Sequence, residues 1–384
     1  MVFYHPKNFE CFFAEAVQGC RHPSLKQKRG GFRGEASDAA GKPENIQLRR
    51  QGCKMKKTIL GLFAFSMMSA TALAADIKPA IIYDLGGKFD KSFNEAAFNG
   101  AEKFKAETGI EYREFEIAND AQREQALRRF ASDGNSPIVM AGFNWAASLE
   151  KIAPEYPDTK FAIIDMVVDK PNVKSIVFKE QEGSYLVGVL AGLASETKTV
   201  GFVGGMDIPL IHKFACGYVG GAKSTGEGVK VLEAYTGTTP DAWNDPVKGG
   251  EITKSQIDQG ADVVYHAAGG TGVGVLQAAA DAGKLGIGVD SNQNMLQPGK
   301  VLTSMLKRVD VAVYDAFTAA KDDKFEFGVS NLGLKEDGVG YALDEHNKAL
   351  ITPDMLEAVE KVKAEIIAGN LEVHDYMTDE SCPY

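Results

Sequence analysis

Short apolar runs separated by helix-length stretches recur along this chain, and they come in two series. The first is AIIY (80–83), YREFEI (112–117), PIVMAG (137–142), FAIID (161–165) and SIVF (175–178). The second is TVGFVGG (199–205), VKVLEAY (229–235), ADVVYHA (261–267) and LGIGVD (285–290). Helical patterns such as AQREQALRRFA (121–131), IPLIHKFACGYVGGAKS (208–224) and TGVGVLQAAADAG (271–283) stand between them. Strand-length runs alternating with helices predict βαβ units, and so parallel sheets with helices on both faces. No long Pro/Ser linker separates the two similar halves, which must therefore pack closely. One more unit follows: VLTSMLK (301–307), the helix VDVAVYDAFTAA (309–320), a β-like stretch near FEFGVSNLGL (325–334), and a last helix from Pro353 to about Ala368. Open α/β sheets take ligands at the carboxyl ends of their strands. Two such sheets put the expected site in the cleft between them.

The amino-terminal region does not belong to this pattern. Residues 55–74 begin MKK, continue as a short apolar stretch and end in Ala72-Leu73-Ala74, the form of a secretory signal peptide with its small-residue cleavage site. A signal peptide starts a chain, so residues 1–54, basic and without periodicity, are expected to be a non-native extension upstream of a true start at Met55. The apolar stretch is short for a membrane span. The whole chain carries 42 Lys+Arg against 52 Asp+Glu; without residues 1–74, 30 basic and 47 acidic residues remain, a formal charge near −17. Such a surface repels nucleic acid, and none is expected as a partner. Removing the leader also removes Cys11, Cys20 and Cys53. Cys216 and Cys382 remain: a candidate disulfide in an oxidising compartment, or else a buried thiol and a frayed one. Ala75, not a cysteine, directly follows the cleavage site, so the product is expected free in the periplasm, without a lipid anchor.

The residues at the predicted strand ends carry the chemistry. After the first strand comes DLGGKFDKSFNEAAFNG (84–100), a glycine loop running into a helix. Ser92-Phe93-Asn94-Glu95 fits the capping-box pattern, with Ser92 capping and Glu95 reaching back. Phe93 then lies in the first helical turn at the cleft, where an aromatic ring can stack on a planar ligand. Asp90 and Asn94 flank it, either as ligand contacts or as plain capping groups. Other strand ends offer Asn144, Asp165, Gly269, Asp290 and Lys307, and a polar loop carries Trp243. Singly, an Asp after a strand is a turn residue or N-cap, and a lone Lys is a solvated one. Together they suit a flat heterocycle bearing vicinal hydroxyls. GGTGVGV (269–275) imitates a dinucleotide fingerprint, but Val275 stands where the sixth-place glycine should be, and the motif is not in the first βαβ unit. No Walker lysine loop, H-E-x-x-H or G-x-S-x-G occurs, and His212, His266, His346 and His374 are scattered, so no metal, cofactor or catalytic site is expected.

DLGGKFDKSFNEAAFNGAEKF, GFVGGMDIPLIHKFACGYVGGA, HAAGGTG, GVDSNQ and VLTSMLKRVDVAVYDA resemble the basic membrane protein family, the purine-nucleoside-binding substrate-binding proteins of ABC transporters. The resemblance covers residues 77–384. It implies a type I periplasmic-binding-protein fold, with two Rossmann-like lobes joined by hinge strands. It further implies a nucleoside between aromatic rings: Phe93 and, on a looser match, Trp243 as the rings, and Asp90 and Asn94 as contacts. Asp165 would meet the purine edge, and Asp290 with Lys307 the ribose hydroxyls. The expected segmentation is residues 75–178 with 293–325 for the first lobe and 179–292 with 326–384 for the second. The function expected is a monomeric receptor, not an enzyme, that delivers a purine nucleoside to an inner-membrane ABC permease. Alternatives are the same fold binding a sugar or other small polar metabolite, a ligand-binding module of a sensor, or a nucleoside hydrolase. Lipoproteins are common in that family, and this sequence departs from them in lacking the lipobox cysteine.

Overall fold

The computed structural model describes residues 77–384; the expected extension and leader at 1–74 lie outside the described residues. The first sheet is built from β1 (Ala80–Tyr83), β2 (Arg113–Glu116), β3 (Ile138–Met140), β4 (Phe161–Ile164) and β5 (Val173–Phe178). The second is built from β6 (Thr199–Met206), β7 (Lys230–Gly237), β8 (Val263–Ala267), β9 (Leu285–Asp290) and β10 (Val301–Lys307). The late strands β11 (Gly328–Leu332) and β12 (Val339–Tyr341) complete one sheet each. The orders are β2-β1-β3-β4-β5-β11 and β7-β6-β8-β9-β10-β12, the same winding twice. All neighbours pair in parallel except β12, which runs antiparallel to β10. The fold is the expected α/β pair of doubly wound lobes.

The helices follow from the connections: α1 (Phe93–Thr108), α2 (Arg123–Ser132) and α3 (Ala146–Ile152) in the first lobe, then α4 (Glu180–Ala194), α5 (Pro209–Lys223), α6 (Pro246–Asp258) and α7 (Gly272–Asp281) in the second. After these come α8 (Val309–Lys321) and α9 (Pro353–Ala368). The inner strands β1, β3, β4, β6 and β8 are buried along their whole length, as strands covered on both faces must be. In the first lobe Trp145, Phe130, Phe161 and Leu127 close one face of the sheet, with the Arg123 guanidinium 4.9 Å from the Trp145 ring. Helix α4 is apolar nearly all round and packs on α5 with backbones close together. A Cβ at Gly217 would sit 2.4 Å from Gln181 O, so this crossing requires glycine.

The segmentation expected from sequence is corrected in two places. β10, assigned to the first lobe within 293–325, pairs with β9 in the second sheet. β11, assigned to the second lobe within 326–384, pairs with β5 in the first. The reason is that the chain passes between lobes three times: after Phe178, after Lys307, and between Leu332 and Val339. The three passages bond to one another, Lys179 N to Leu332 O at 3.0 Å and Arg308 N to Gly338 O at 2.9 Å, with Leu334 N donating to Glu182 at 2.8 Å.

Cys216 on α5 and Cys382 in the tail are bonded, with 5.6 Å between their Cα atoms. The bridge lays the last residues along α5, where Tyr384 packs against Gly220 and Tyr185. Among the described residues no helix is long and apolar enough to cross a membrane. Closing so long a loop restrains the unfolded chain, by roughly 3–5 kcal/mol in the chain-entropy account. Cys216→Ser is therefore expected to lower the melting temperature measurably relative to the oxidised wild type, and to match wild type melted in reductant. Equal melting temperatures for Cys216→Ser and oxidised wild type would contradict this.

Candidate functional site

Strand ends from both lobes converge on one cavity, a cleft of the kind in which small molecules bind. From the first lobe come Asp84 and Leu85 after β1, Asp90, Phe93 and Asn94 at the start of α1, Gly142 and Phe143 after β3, and Asp165 after β4. From the second come Leu210, Ile211 and Phe214 of α5, Trp243 after β7, Ala267 and Gly269 after β8, Val289 and Asp290 of β9, and Lys307 at the end of β10. Eight of the nine expected contact residues line this wall: Asp90, Phe93, Asn94, Asp165, Trp243, Gly269, Asp290 and Lys307.

Asn144 is the exception. It sits in a short 3-10 turn, Phe143–Trp145, and its amide donates to Asp84 Oδ2 at 3.1 Å, so its neighbour Phe143 takes the place on the wall. The capping box is also corrected. Ser92 has no side-chain cap bond; its hydroxyl reaches across the cleft to the Asp290 carboxylate and to Val289 O. Asp90 caps α1 instead, accepting from the backbone N–H of Ser92 (2.8 Å), Asn94 (2.9 Å) and Glu95 (3.1 Å). Glu95 accepts from Lys91 N, not from Ser92. Asn94 is likewise engaged by the loop: it accepts from Asp84 N and donates to Asp84 O and Gly87 O. Two more contacts tie the lobes here, Ser291 Oγ to Ser92 O at 3.0 Å and Gln293 Nε2 to Lys91 O at 2.9 Å.

Asp165 and Asp290 occupy equivalent places, each directly at the end of an inner strand, and both adopt left-handed backbone, φ 72° and 61°. Non-glycine residues rarely hold that conformation without need. Lys307 faces them with its ammonium 2.7 Å from Asp165 and 3.0 Å from Glu180, and within 5.2–5.5 Å of the rings of Phe93, Phe178 and Phe214. Burial works against this ammonium, yet Asp165, Glu180 and Asp290 more than offset it and raise its pKa. Burial lifts Asp165 to about 6 against the pull of Lys307, and lifts Asp90 to about 7 against its three backbone donors. Asp290 is raised by burial too, opposed by Lys307 and Ser92. Despite the nearby ammonium, Asp165 Oδ1 is buried without a hydrogen-bond partner of good geometry. A buried acceptor left so is poised for a donor.

Trp243 ends a 3-10 turn, Pro240–Trp243, and its ring lies against the end of β6. A Cβ at Gly205 would sit 2.1 Å from that ring, so the GG of FVGG makes room for it. The GGTG segment forms a turn before α7 that is used structurally: Thr271 Oγ1 accepts from Asp245 N and donates to Ala242 O. Sequence reasoning missed Asp84, Phe143, Leu210, Ile211 and Phe214 on the wall, and Glu180 and Lys213 behind it. Asp84 does follow a strand as Asp165 does; its carboxylate is held by Arg123 at 2.6 Å. The aliphatic and aromatic members of α5 carry no signal distinct from a core stripe. No histidine lines the cavity, and the described residues hold no cluster of His, Cys, Asp or Glu placed to bind a metal. The arrangement offers apolar and aromatic walls, several acidic acceptors and one ammonium, chemistry complementary to planar groups and to N–H and O–H donors.

Comparison with known proteins gives this geometry a family. Residues 78–375 match the profile of Bmp, "ABC transporter substrate-binding protein PnrA-like". An uncharacterized lipoprotein of Pyrococcus abyssi is 41% identical over 284 residues, covering 70% of this chain and 69% of its own. The "ABC transporter nucleoside-binding protein BmpA" of Lactococcus lactis is 32% identical over 357 residues, covering 83% of this chain and 99% of its own. A crystal structure of an ABC transporter solute-binding protein from Aeropyrum pernix superposes with a TM-score of 0.73 at 30% identity, over 79% of this chain and 95% of that one. On the profile match over residues 78–375 and these relatives, this chain belongs to the Bmp family of PnrA-like ABC transporter substrate-binding proteins.

Proposed function

We propose that the cleft binds a nucleoside, purines first, and that the closed protein presents it to an ABC permease as a monomeric carrier. The observation that carries this is the pairing, in one cavity, of aromatic residues from both lobes, Phe93 and Trp243, with the strand-end carboxylates Asp165 and Asp290 and the single ammonium of Lys307. Rings favour any flat base, while the Asp165 carboxylate, whose Oδ1 lies against the Lys307 ammonium but takes no hydrogen bond, can accept from an N–H of the base edge. Asp290 and Lys307 suit the ribose diol. A sugar can pack one C–H face on an aromatic ring but covers less of Phe93, Phe214 and Trp243 than a purine base with its ribose, which disfavours that alternative. The nucleoside-binding name of the Lactococcus relative supports the same ligand class.

Phe93→Ala is expected to weaken purine nucleoside binding by about tenfold to a hundredfold, the range of base–aromatic stacking, while leaving the fold intact. Isothermal titration calorimetry checks it, and unchanged affinity would return Phe93 to the core. The chain has two tryptophans, and Trp145 is fully buried in the first-lobe core. Ligand-induced fluorescence change is thus expected to persist in Trp145→Phe and to vanish in Trp243→Phe.

Affinity is also expected to depend on pH, with a definite sign. An ionised Asp165 is the stronger acceptor for the ligand, and burial raises its pKa to about 6 against the pull of Lys307. Bound ligand then favours proton release, so affinity falls as pH drops through that value, approaching tenfold per unit below it. Titrations from neutral to mildly acidic buffers test this; a flat profile would remove Asp165 from the ligand.

The location outside the cytoplasm and the absence of an anchor rest on the Ala72-Leu73-Ala74 site, followed directly by Ala75 and not by a cysteine. This stands against the lipoprotein names of the Pyrococcus relatives. Osmotic shock is expected to release the protein without detergent, and fatty-acid labelling to leave it unlabelled.

A further inference from the structure

The cleft ammonium is one member of a longer row. Asp165, Lys307, Glu180, Lys213 and Asp375 follow one another with contacts of 2.7, 3.0, 3.1 and 3.3 Å, and their charges alternate in sign from the cavity wall to the C-terminal segment. Only Asp165 and Lys307 line the cavity. Glu180 and Lys213 lie behind it, with side chains 1% and 7% exposed. They come from different helices: Glu180 opens α4 just after the first passage between lobes, and Lys213 belongs to α5 and also donates to Phe178 O at 2.8 Å. Lys307 is itself the last residue before the second passage. The row therefore sits where two of the three passages leave their sheets.

An ion pair that merely fastened α4 to α5 would need Lys213 and one carboxylate oxygen. Here the Glu180 carboxylate is shared, Oε1 toward Lys307 and Oε2 toward Lys213. Burial alone would push Glu180 up, but the two ammonium groups hold it below the usual carboxylate range. An ionised Glu180 opposes Asp165 across Lys307. The ammonium is thereby held between two carboxylates, beside the rings of Phe93, Phe178 and Phe214, and not drawn wholly onto Asp165. Loss of Lys213 would leave a buried carboxylate with a single cation, a state that costs free energy until Glu180 takes a proton or captures Lys307. Asp375 closes the row from the outside, on the segment that the Cys216–Cys382 bridge holds against α5.

We propose that Glu180 and Lys213, backed by Asp375, are positioning residues for the ligand site: they fix the Lys307 ammonium and through it the ligand-facing oxygen of Asp165. The proposal rests on the nucleoside reading only for the choice of titrant. Lys213→Met, Lys213→Arg and Asp375→Asn are compared by calorimetry with guanosine, inosine and adenosine, and by 15N NMR of lysine ammonium groups in the ligand-free protein. The Lys307 signal is assigned with Lys307→Arg. Lys213→Met is expected to weaken binding about tenfold and to shift the Lys307 signal, and Asp375→Asn to do both to a smaller degree, about threefold in affinity. Lys213→Arg restores both, which a loss of packing alone would not explain. Wild-type affinity with an unmoved Lys307 signal in Lys213→Met would overturn the proposal. If that variant does not fold, an unmoved signal in Asp375→Asn, altered at a partly exposed position, would overturn it equally. If wild type binds none of the nucleosides, the functional reading fails, and the ligand-free NMR comparison still decides this one.

Discussion

A buried lysine ammonium is the constraint around which the cleft is built. Lys307 is 2% exposed, and a cation so placed must be surrounded by acceptors or lose its proton. The fold supplies them from both lobes: Asp165 from the end of β4 in the first, and Glu180 from α4 and Asp290 from β9 in the second. Three carboxylates around one ammonium leave the group short of positive charge, and Lys213 makes up part of the difference. What remains is an acidic cavity with donors in short supply, lined by rings. That composition suits a flat, uncharged or weakly cationic ligand carrying its own N–H and O–H groups, as in the proposed nucleoside.

The same winding used twice explains why the carboxylates are where they are. β4 and β9 hold equivalent positions in their sheets, and each ends in an aspartate with left-handed backbone. Facing the two sheets across a cleft brings the repeated feature to one cavity. The glycine loop after β1 completes it. Asp90 caps α1, which frees the Ser92 hydroxyl to bond Asp290 across the cleft, and Ser291 and Gln293 return to the backbone of the same loop. The loop is at once one wall of the cavity and a latch between lobes.

Much of this was legible in the sequence, because strand-end position is a strong constraint on which residues meet. The runs AIIY and LGIGVD mark β1 and β9 to the residue, and the helix from Pro353 to Ala368 has its proline start and glycine end. The strand ends named eight of the cavity's residues. What was hidden has physical reasons. Helix α4, EQEGSYLVGVLAGLA, is buried nearly all round, so it shows no amphipathic period, and Glu180 at its start looks like any acidic first-turn residue. Lys213 looks like the polar side of an amphipathic helix until the tail folds over it. The exchange of β10 and β11 between lobes leaves no local trace, since strand pairing across a crossover depends on sheet edges and not on the strands' own composition. In the sequence Ser92 reads as the cap of α1 and Asp90 as a ligand contact or a capping group; Asp290, 198 residues later in the chain, takes the Ser92 hydroxyl and leaves the cap to Asp90.

The central claim is that the acidic, ring-lined cleft around Lys307 holds a nucleoside. The most direct measurement is mass spectrometry of the small molecules released when natively purified protein is denatured, repeated after refolding in the presence of a mixed pool of nucleosides and sugars. The account predicts a purine nucleoside in both samples. A sugar or another metabolite recovered in its place, with no nucleoside retained after refolding, would contradict it.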